Sequence, residues 1–222
     1  MPGRAEFLEK VRHRTRRGRY KPTHAPDVAW TPEEGPRYSP PIEDPPARFI
    51  GELEALGGHG KRVATIEEAR DHVVSIARER EARLLVRWDV PELEEMGVDG
   101  PLAGAGVEVV AWRDLEDFRS IAGKADVGLS TAAWAVAETG TLVLEHGPGA
   151  GRSVTLLPPT YVAIVPAGKI LSTVPEAIQK YAGERLPANV CFHTGPSRSG
   201  DIEMSLFVGM HGPGDVHVVL VG

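Results

Sequence analysis

Cysteine is scarce in this chain of 222 residues, and Cys191 is its single example. A lone cysteine excludes an intramolecular disulfide. It also excludes an iron–sulfur cluster or a zinc ion held by several cysteines of this chain. We therefore expect no cofactor bound through cysteine ligands here, and the cysteine usage suits a reducing compartment.

Long apolar runs and an excess of basic residues are also missing. No stretch approaches the roughly 20 apolar residues of a membrane-spanning helix, and the N-terminus lacks the apolar segment of a signal peptide. These absences predict a cytoplasmic protein without a membrane span. The formal net charge of -6 argues against a general nucleic-acid binder. A small anionic ligand is still compatible, because local positive charge can oppose the net charge.

The N-terminal segment differs in composition from the rest of the chain. Its basic residues are Arg4, Lys10, Arg12, Arg14, Arg16, Arg17 and Arg19. Prolines then recur without periodicity up to residue 46, as in an extended linker. We interpret residues 1–45 as a basic arm with a proline-rich linker, and residues 46–222 as an α/β domain. The arm is either a solvated surface or a partner- or phosphate-binding element.

From residue 46 onward, helical patterns alternate with short apolar runs. Helices are predicted at residues 47–56, 66–81, 114–121 and 174–181. Strands are predicted at residues 62–64, 84–86, 107–110, 127–129, 141–144, 161–165, 190–192 and 216–220. Most of these runs are continuously apolar, which is typical of strands covered on both faces. The pattern predicts a Rossmann-like α/β fold whose largely parallel sheet is covered by helices.

Ligands of such sheets bind beyond the carboxyl ends of the strands, so polar residues after apolar runs are candidate site residues. A first cluster contains Glu138, Thr139 and Gly140, where Gly140 supplies a turn. The small residues at 132–137 predict one or two helical turns, which would place Glu138 at a helix-to-strand junction. Glu138 and Thr139 either contribute to a site or only satisfy backbone groups at that junction.

A second cluster is the glycine-rich segment at residues 147–158, in which Arg152 follows three closely spaced glycines. The glycines permit a close approach of the backbone to a ligand, and the arginine fork fits a carboxylate or a phosphate. The spacing matches neither GxGxxG nor a Walker A loop, so support for nucleotide binding is weak. The alternative is a flexible connection with an exposed arginine.

A third cluster, HTGPSRSGDIE at residues 193–203, follows the predicted strand 190–192. Gly195 belongs to a strand break, and Ser197 or Ser199 is a candidate N-cap of a helix. Arg198 would add positive charge to free backbone donors. This combination predicts attraction of an anion.

Asp201 is a further ligand-binding candidate of this segment. The segment also has a simpler interpretation, an ordinary capped turn in which Asp201 or Glu203 pairs with Arg198. Further on, His211 lies between turn residues and is a candidate proton donor, metal ligand or turn-stabilising group. We count it among the ligand-binding candidates. No metal site is predicted, because His193, His211 and His217 lack a recognisable ligand spacing.

Three segments, taken together and in order, carry a family resemblance. They are AETGTLVL, then Gly151-Arg152 with LLPPTYVAIVP, and then GPSRSGDIEMSLFVGMHGP. They resemble the LUD-domain family, especially its lactate-utilisation protein C group. The resemblance implies a fold similar to that of the NagB/RpiA/CoA-transferase group. The family commonly has Thr-Ala where this chain has Ser199-Gly200, a departure that leaves the hydroxyl in place.

The resemblance further implies a part in the oxidation of L-lactate to pyruvate together with two partner proteins. One or both partners would carry iron–sulfur centres, since this chain cannot supply a cysteine-ligated cluster. It also implies a pocket for a small carboxylate or phosphorylated ligand, with the third cluster opposite Glu138, Thr139 and Arg152. The alternatives are an acyl- or CoA-transferase with Glu138 as nucleophile or general base, and a non-catalytic scaffold.

Overall fold

The computed structural model describes residues 42–114, 117–183, 186–200, 206–209 and 211–222, together with Arg4 and Glu9. The chain divides into two compact units, residues 1–38 and 39–222. Apart from Arg4 and Glu9, which are helical, the predicted basic arm and most of the proline-rich linker lie outside the described residues. No helix among the described residues is both long enough and apolar enough to cross a membrane.

Strands and helices alternate along the larger unit. The strands are β1 His59–Val63, β2 Leu84–Arg87, β3 Glu108–Ala111, β4 Val127–Thr131, β5 Trp134–Val136, β6 Thr141–His146, β7 Thr160–Pro166, β8 Ile170–Leu171, β9 Asn189–Thr194, β10 Arg198–Gly200, β11 Leu206–Val208 and β12 Asp215–Val221. The helices are α1 Pro45–Ala55, α2 Ile66–Glu79, α3 Pro91–Met96, α4 Asp99–Gly104, α5 Phe118–Ala122, α6 Arg152–Leu156 and α7 Val174–Gln179. Short 3-10 turns cover Trp112–Asp114 and Ala167–Lys169.

The main sheet has six strands in the order β1-β12-β7-β4-β2-β3, and all neighbours are parallel. Its central strands are covered on both faces; residues 160–165 of β7, for example, are all buried. This burial explains why the strands are continuously apolar instead of alternating. The prediction of an α/β fold with a largely parallel sheet covered by helices is therefore confirmed.

A second sheet of four strands, in the order β8-β5-β6-β9, corrects part of the sequence prediction. Strand β6 pairs antiparallel with both β5 and β9, so the runs at 141–144 and 190–192 do not belong to the parallel sheet. The predicted helical turns at 132–137 are also wrong, because Trp134–Val136 form β5. Ala135 and Ala137 are fully buried, and tertiary packing of this kind overrides the helix preference of alanine.

Helix α2 shows how local sequence fixes an element of the larger unit. The Thr65 hydroxyl accepts a hydrogen bond from Glu68 N at 3.2 Å, and the Glu68 carboxylate accepts one from Ala64 N at 2.8 Å. The first bond satisfies a donor that the first helical turn leaves free, and the second holds the residue that precedes the cap. The helix then buries Val73 and Ile76, which lie on one face at helical spacing.

Candidate functional site

A pocket of about 380 Å³ lies beside the loop that leads into β12. Four of the predicted site residues line it together. Gly195, Ser197 and Arg198 come from one segment of the chain, and His211 comes from another. The remaining lining residues are Leu56, Leu156, Phe192, His193, Thr194, Pro196, Gly212 and Pro213. We define this set as the loop pocket.

Backbone hydrogen bonds hold the two walls of the loop pocket together. Ser197 N donates to Pro213 O, and Gly209 N donates to Ser197 O, both at 2.9 Å. Gly214 N donates in turn to Pro159 O at 3.1 Å, which ties the second wall to the segment before β7. The position of His211 relative to Arg198 therefore depends on long-range pairing that the sequence does not reveal.

The predicted N-cap at Ser197 or Ser199 is wrong. Residues Arg198–Gly200 form strand β10, which pairs antiparallel with Leu206–Val208. Neither serine therefore precedes a helix, and among the described residues no helix begins at this point. The local sequence permitted a cap, but the strand-to-strand ladder with distant residues decided the backbone conformation. Asp201, the predicted local partner of Arg198, lies outside the described residues.

Arg198 has an exposed side chain whose Nη2 donates to the carbonyl oxygen of Leu56. Leu56 directly follows α1, so the guanidinium lies at the carboxyl end of that helix. A guanidinium carries five N–H groups, and one carbonyl does not exhaust them. Arg198 can thus support α1 and still offer donors to an anion in the loop pocket.

Glu138 and Thr139 lie in the turn between β5 and β6, which replaces the predicted helix-to-strand junction. The half-buried Glu138 carboxylate accepts a hydrogen bond from Val174 N, at the start of α7, at 2.7 Å. Neither residue lines the loop pocket. Thr139 reaches it only indirectly, because its hydroxyl bonds Thr141 at 2.7 Å and Thr141 bonds the pocket residue Thr194 at 2.8 Å.

Gly140 occupies the same turn for a steric reason. Its φ of +61° is in the left-handed region, and a Cβ at this position would lie 2.6 Å from Leu53 N. Only glycine permits both the conformation and this close approach of the turn to α1. Gly140 does not line the loop pocket.

Arg152 is the exposed first residue of α6 and is likewise not a lining residue of the loop pocket. Its charge acts on two side chains of the second sheet. Burial lowers the pKa of His146, and Arg152 lowers it further, whereas Asn189 opposes both effects. Burial raises the pKa of the Cys191 thiol, and Arg152 works against that rise. Arg152 therefore gives this region a positive potential.

The glycine-rich segment before Arg152 lies at the carboxyl end of the parallel sheet, as the sequence pattern predicts for this cluster. Asp89, just after β2, donates its N–H to Gly149 O at 2.8 Å. A second pocket, of about 440 Å³, is lined by Asp89, Trp112, Arg113, Pro148 and Gly149. Arg113 forms an ion pair with Asp89 there. This pairing offsets the positive charge that an anion would need, so the loop pocket is the better candidate for the predicted anion site.

His193 is a pocket residue that sequence reasoning weighed only as a metal ligand. Burial lowers its pKa to about 4, so the ring is neutral at pH 7. The ring packs edge-on against Tyr161 at 5.2 Å between centroids, and the Tyr161 hydroxyl lies 2.7 Å from Ser130 Oγ. The side-chain alternation along β9 could have indicated this inward orientation.

Comparisons with known proteins agree with the family resemblance. The LUD domain profile matches residues 46–221. Lactate utilization protein C of Halalkalibacterium halodurans is 39% identical over 159 residues, which cover 68% of this chain and 67% of that protein. Lactate utilization protein C 1 of Bacillus mycoides is 31% identical over 218 residues, covering 95% and 93%.

One solved structure supports the fold. The crystal structure of a DUF162 family protein from Deinococcus radiodurans aligns with a TM-score of 0.58 and 21% sequence identity. The alignment covers 82% of this chain and 100% of that one. The two structures therefore share the α/β fold.

Proposed function

The chain belongs to the LUD-domain family, and from that premise we propose that it acts in lactate utilisation, as a subunit of a system that oxidises L-lactate to pyruvate. The names of its curated relatives support the lactate-utilisation role. The family match extends over nearly all of the larger unit. The proposed location is the cytoplasm.

The proposed electron carriers lie in partner proteins. Oxidation of lactate to pyruvate releases two electrons and two protons, so the system needs an acceptor. A single cysteine cannot hold an iron–sulfur cluster of the usual four-ligand kind. We therefore assign iron–sulfur clusters to the partners and a ligand-binding role to this chain.

The observation that carries the ligand-binding role is the convergence of Arg198 and His211 on the loop pocket. Arg198 offers a planar fork of donors, which suits a carboxylate or a phosphate. His211 is exposed and adds a donor from the opposite wall. Lactate and pyruvate both carry one carboxylate, and a phosphorylated ligand presents the same acceptor chemistry. The proposed ligand is a small anion of this class.

An acyl- or CoA-transfer enzyme with Glu138 as nucleophile has less support. The Glu138 carboxylate is engaged by Val174 N and does not line the loop pocket. A nucleophile needs an open approach to a substrate carbonyl. The geometry favours a positioning role for Glu138 at the start of α7.

Reconstitution tests the proposal directly. The partner proteins, co-purified from the native host at low salt, are assayed for lactate-dependent dye reduction with and without this chain. We expect full activity only when the chain is present. We also expect a loss with Arg198→Ala but not with Arg48→Ala, because Arg48 is an exposed residue of α1 that does not line the loop pocket. Equal activity without the chain overturns the subunit role, and full activity with Arg198→Ala overturns the pocket assignment.

A further inference from the structure

A cluster of two imidazoles and one carboxylate lies at the amino end of the parallel sheet. His59 begins β1 and Asp215 begins β12. The parallel register places His59 beside His217. Their rings stack with centroids 4.6 Å apart and an interplanar angle of 25°. The sheet itself thus brings together residues from the two ends of the domain.

The three side chains bring their ligand atoms close together. His59 Nε2 lies 3.4 Å from Asp215 Oδ1, and His217 Nε2 lies 3.0 Å from the same oxygen. One ligand atom from each residue lies within 4.8 Å of the others. In the part of the chain that the structure describes, no other group of three or more His, Cys, Asp or Glu side chains has this arrangement.

We propose that His59, Asp215 and His217 bind one divalent transition-metal ion of the zinc type. Zinc bonds to imidazole nitrogen and carboxylate oxygen are about 2.0–2.2 Å long. Two such ligands at tetrahedral or octahedral angles are themselves about 2.9–3.5 Å apart. The observed separations of 3.0 and 3.4 Å fall in this range. Two nitrogen ligands select a transition ion over Mg²⁺ or Ca²⁺, which prefer oxygen.

Neighbouring side chains hold the carboxylate in place. Arg80 Nε donates to Asp215 Oδ2 at 2.8 Å, and the Thr160 hydroxyl donates to the same oxygen at 3.1 Å. His217 Nε2 also lies 3.0 Å from Oδ2, whereas Oδ1 is the oxygen that both histidines approach. Carboxylates that bind metals are usually oriented by such outer hydrogen bonds. The positive charge of Arg80 opposes the binding of a cation nearby. Without a metal ion, the same contacts form a cluster of ion pairs around Asp215.

One histidine of the cluster is exposed to solvent, and the other is nearly buried. The His59 side chain is 58% exposed, whereas the His217 side chain is 11% exposed. Solvent can therefore supply the remaining ligands, or a small donor molecule can take their place. The pocket residues Leu56 and Pro213 lie a few positions before His59 and Asp215 in the chain. The metal inference nevertheless does not rest on the proposed function.

Zinc binding by the tag-free full chain tests the inference. The protein is stripped with EDTA, dialysed and titrated with Zn²⁺ against a chromophoric competitor, and elemental analysis gives the stoichiometry. We expect one Zn²⁺ per chain. His59→Ala should weaken binding by more than about tenfold, since even loss of an outer-shell partner costs about 10- to 100-fold. His72→Ala is the matched control, because the His72 ring contacts Lys61 and does not belong to the cluster. Its charge interacts with that of His217, so we expect a far smaller change in affinity than for His59→Ala.

His59 is exposed, so its variant keeps the experiment decisive if His217→Ala fails to fold. Co²⁺ substitution gives a second readout, a visible absorption band that is present in the wild type and lost in His59→Ala. Stoichiometric binding that His59→Ala does not weaken, or no stoichiometric binding at all, overturns the inference. Anion binding is measured separately, in the presence of EDTA. A negative result for anion binding at the loop pocket is therefore distinguished from a negative result for metal binding at the cluster.

Discussion

The guanidinium of Arg198 donates to the carbonyl oxygen of Leu56 and lies at the carboxyl end of α1. A cation at this end of a helix is stabilised by the helix dipole and by unpaired carbonyl groups. The same side chain lines the loop pocket with His211. Arg198 therefore combines a contact within the fold with the proposed contact to an anion, and the two roles separate experimentally.

Arg198→Ala should weaken binding of phosphate or lactate by about 1.5–3 kcal/mol, the range for a hydrogen bond to a charged group. Unfolding free energy should fall by only about 1 kcal/mol, because the Leu56 contact is exposed to solvent. Calorimetry and thermal melts give the two values. Arg198→Lys keeps the charge but loses the planar fork, so we expect much of the affinity to be lost. Unchanged affinity together with a large drop in Tm would make Arg198 a purely structural residue.

Arg152→Ala tests whether this residue joins Arg198 at the anion. Because Arg152 does not line the loop pocket, we expect its removal to leave the affinity for phosphate or lactate unchanged, and a loss as large as that of Arg198→Ala would contradict this expectation. Independently of that result, the pKa of the Cys191 thiol should rise, because Arg152 opposes the effect of burial. Alkylation of Cys191 by iodoacetamide at a fixed pH near 8 should then be slower. Unaltered alkylation would show that the Arg152 charge does not reach the thiol.

Glu138→Gln separates a positioning role from chemistry. The amide oxygen can still accept the hydrogen bond from Val174 N, so stability should change by less than about 1 kcal/mol. Glu138→Ala removes the acceptor and should cost about 1 kcal/mol, as for other N-terminal helix caps. Denaturant unfolding measures both. Lactate oxidation that survives in Glu138→Gln excludes a carboxylate nucleophile, whereas complete loss with normal stability would restore the acyl-transfer alternative.

Gly140→Ala should destabilise the domain by at least about 2 kcal/mol, because it combines a strained backbone conformation with a clash. The new Cβ would lie 2.6 Å from Leu53 N, a backbone atom that cannot move aside without shifting α1. Gly147→Ala is the control, since a Cβ there meets nothing within 4 Å and its φ is not positive. Equal stability of the two variants, measured by urea unfolding, would contradict the close packing of this turn on α1.

His193 should make stability fall in acid. Burial lowers its pKa from 6.5 to about 4, so the unfolded chain takes up the proton first. The contribution of neutral His193 to the free energy of unfolding is therefore complete above pH 6.5. It is lost as the pH falls towards 4, and the loss amounts to up to about 3 kcal/mol. His193→Phe keeps an aromatic ring against Tyr161 and should flatten this part of the curve. The pH dependence of stability that remains in this variant reflects other groups, such as His146, whose pKa is also lowered. An unchanged slope in His193→Phe would contradict this assignment.

Local sequence determined most of the elements. The strand predicted at 161–165 lies within Thr160–Pro166, and the helix predicted at 66–81 is Ile66–Glu79. Both segments have a strong pattern, since the strand is continuously apolar and the helix is amphipathic with capping residues at its start. Physical preferences of this kind act between near neighbours and can therefore be read directly from the sequence.

The sequence did not reveal in the same way which strands pair with each other. Nothing in the run 190–192 distinguishes a strand of the parallel sheet from an antiparallel neighbour of β6. Likewise, Ser197 and Ser199 fit the N-cap of a helix, but Arg198–Gly200 pair with Leu206–Val208 and form strand β10. The choice depends on which distant chain satisfies the backbone groups, and a local pattern carries no such information.

The sequence by itself determined the α/β class, and it supplied the residue types on which the predicted anion site depends. Tertiary structure alone decided that Arg198 and His211 share the loop pocket while Glu138 faces α7. It also joined His59 to His217, which are adjacent only through the pairing of β1 with β12. The physical reason is that composition and capping are local properties, whereas a site depends on the register between strands that are far apart in the chain.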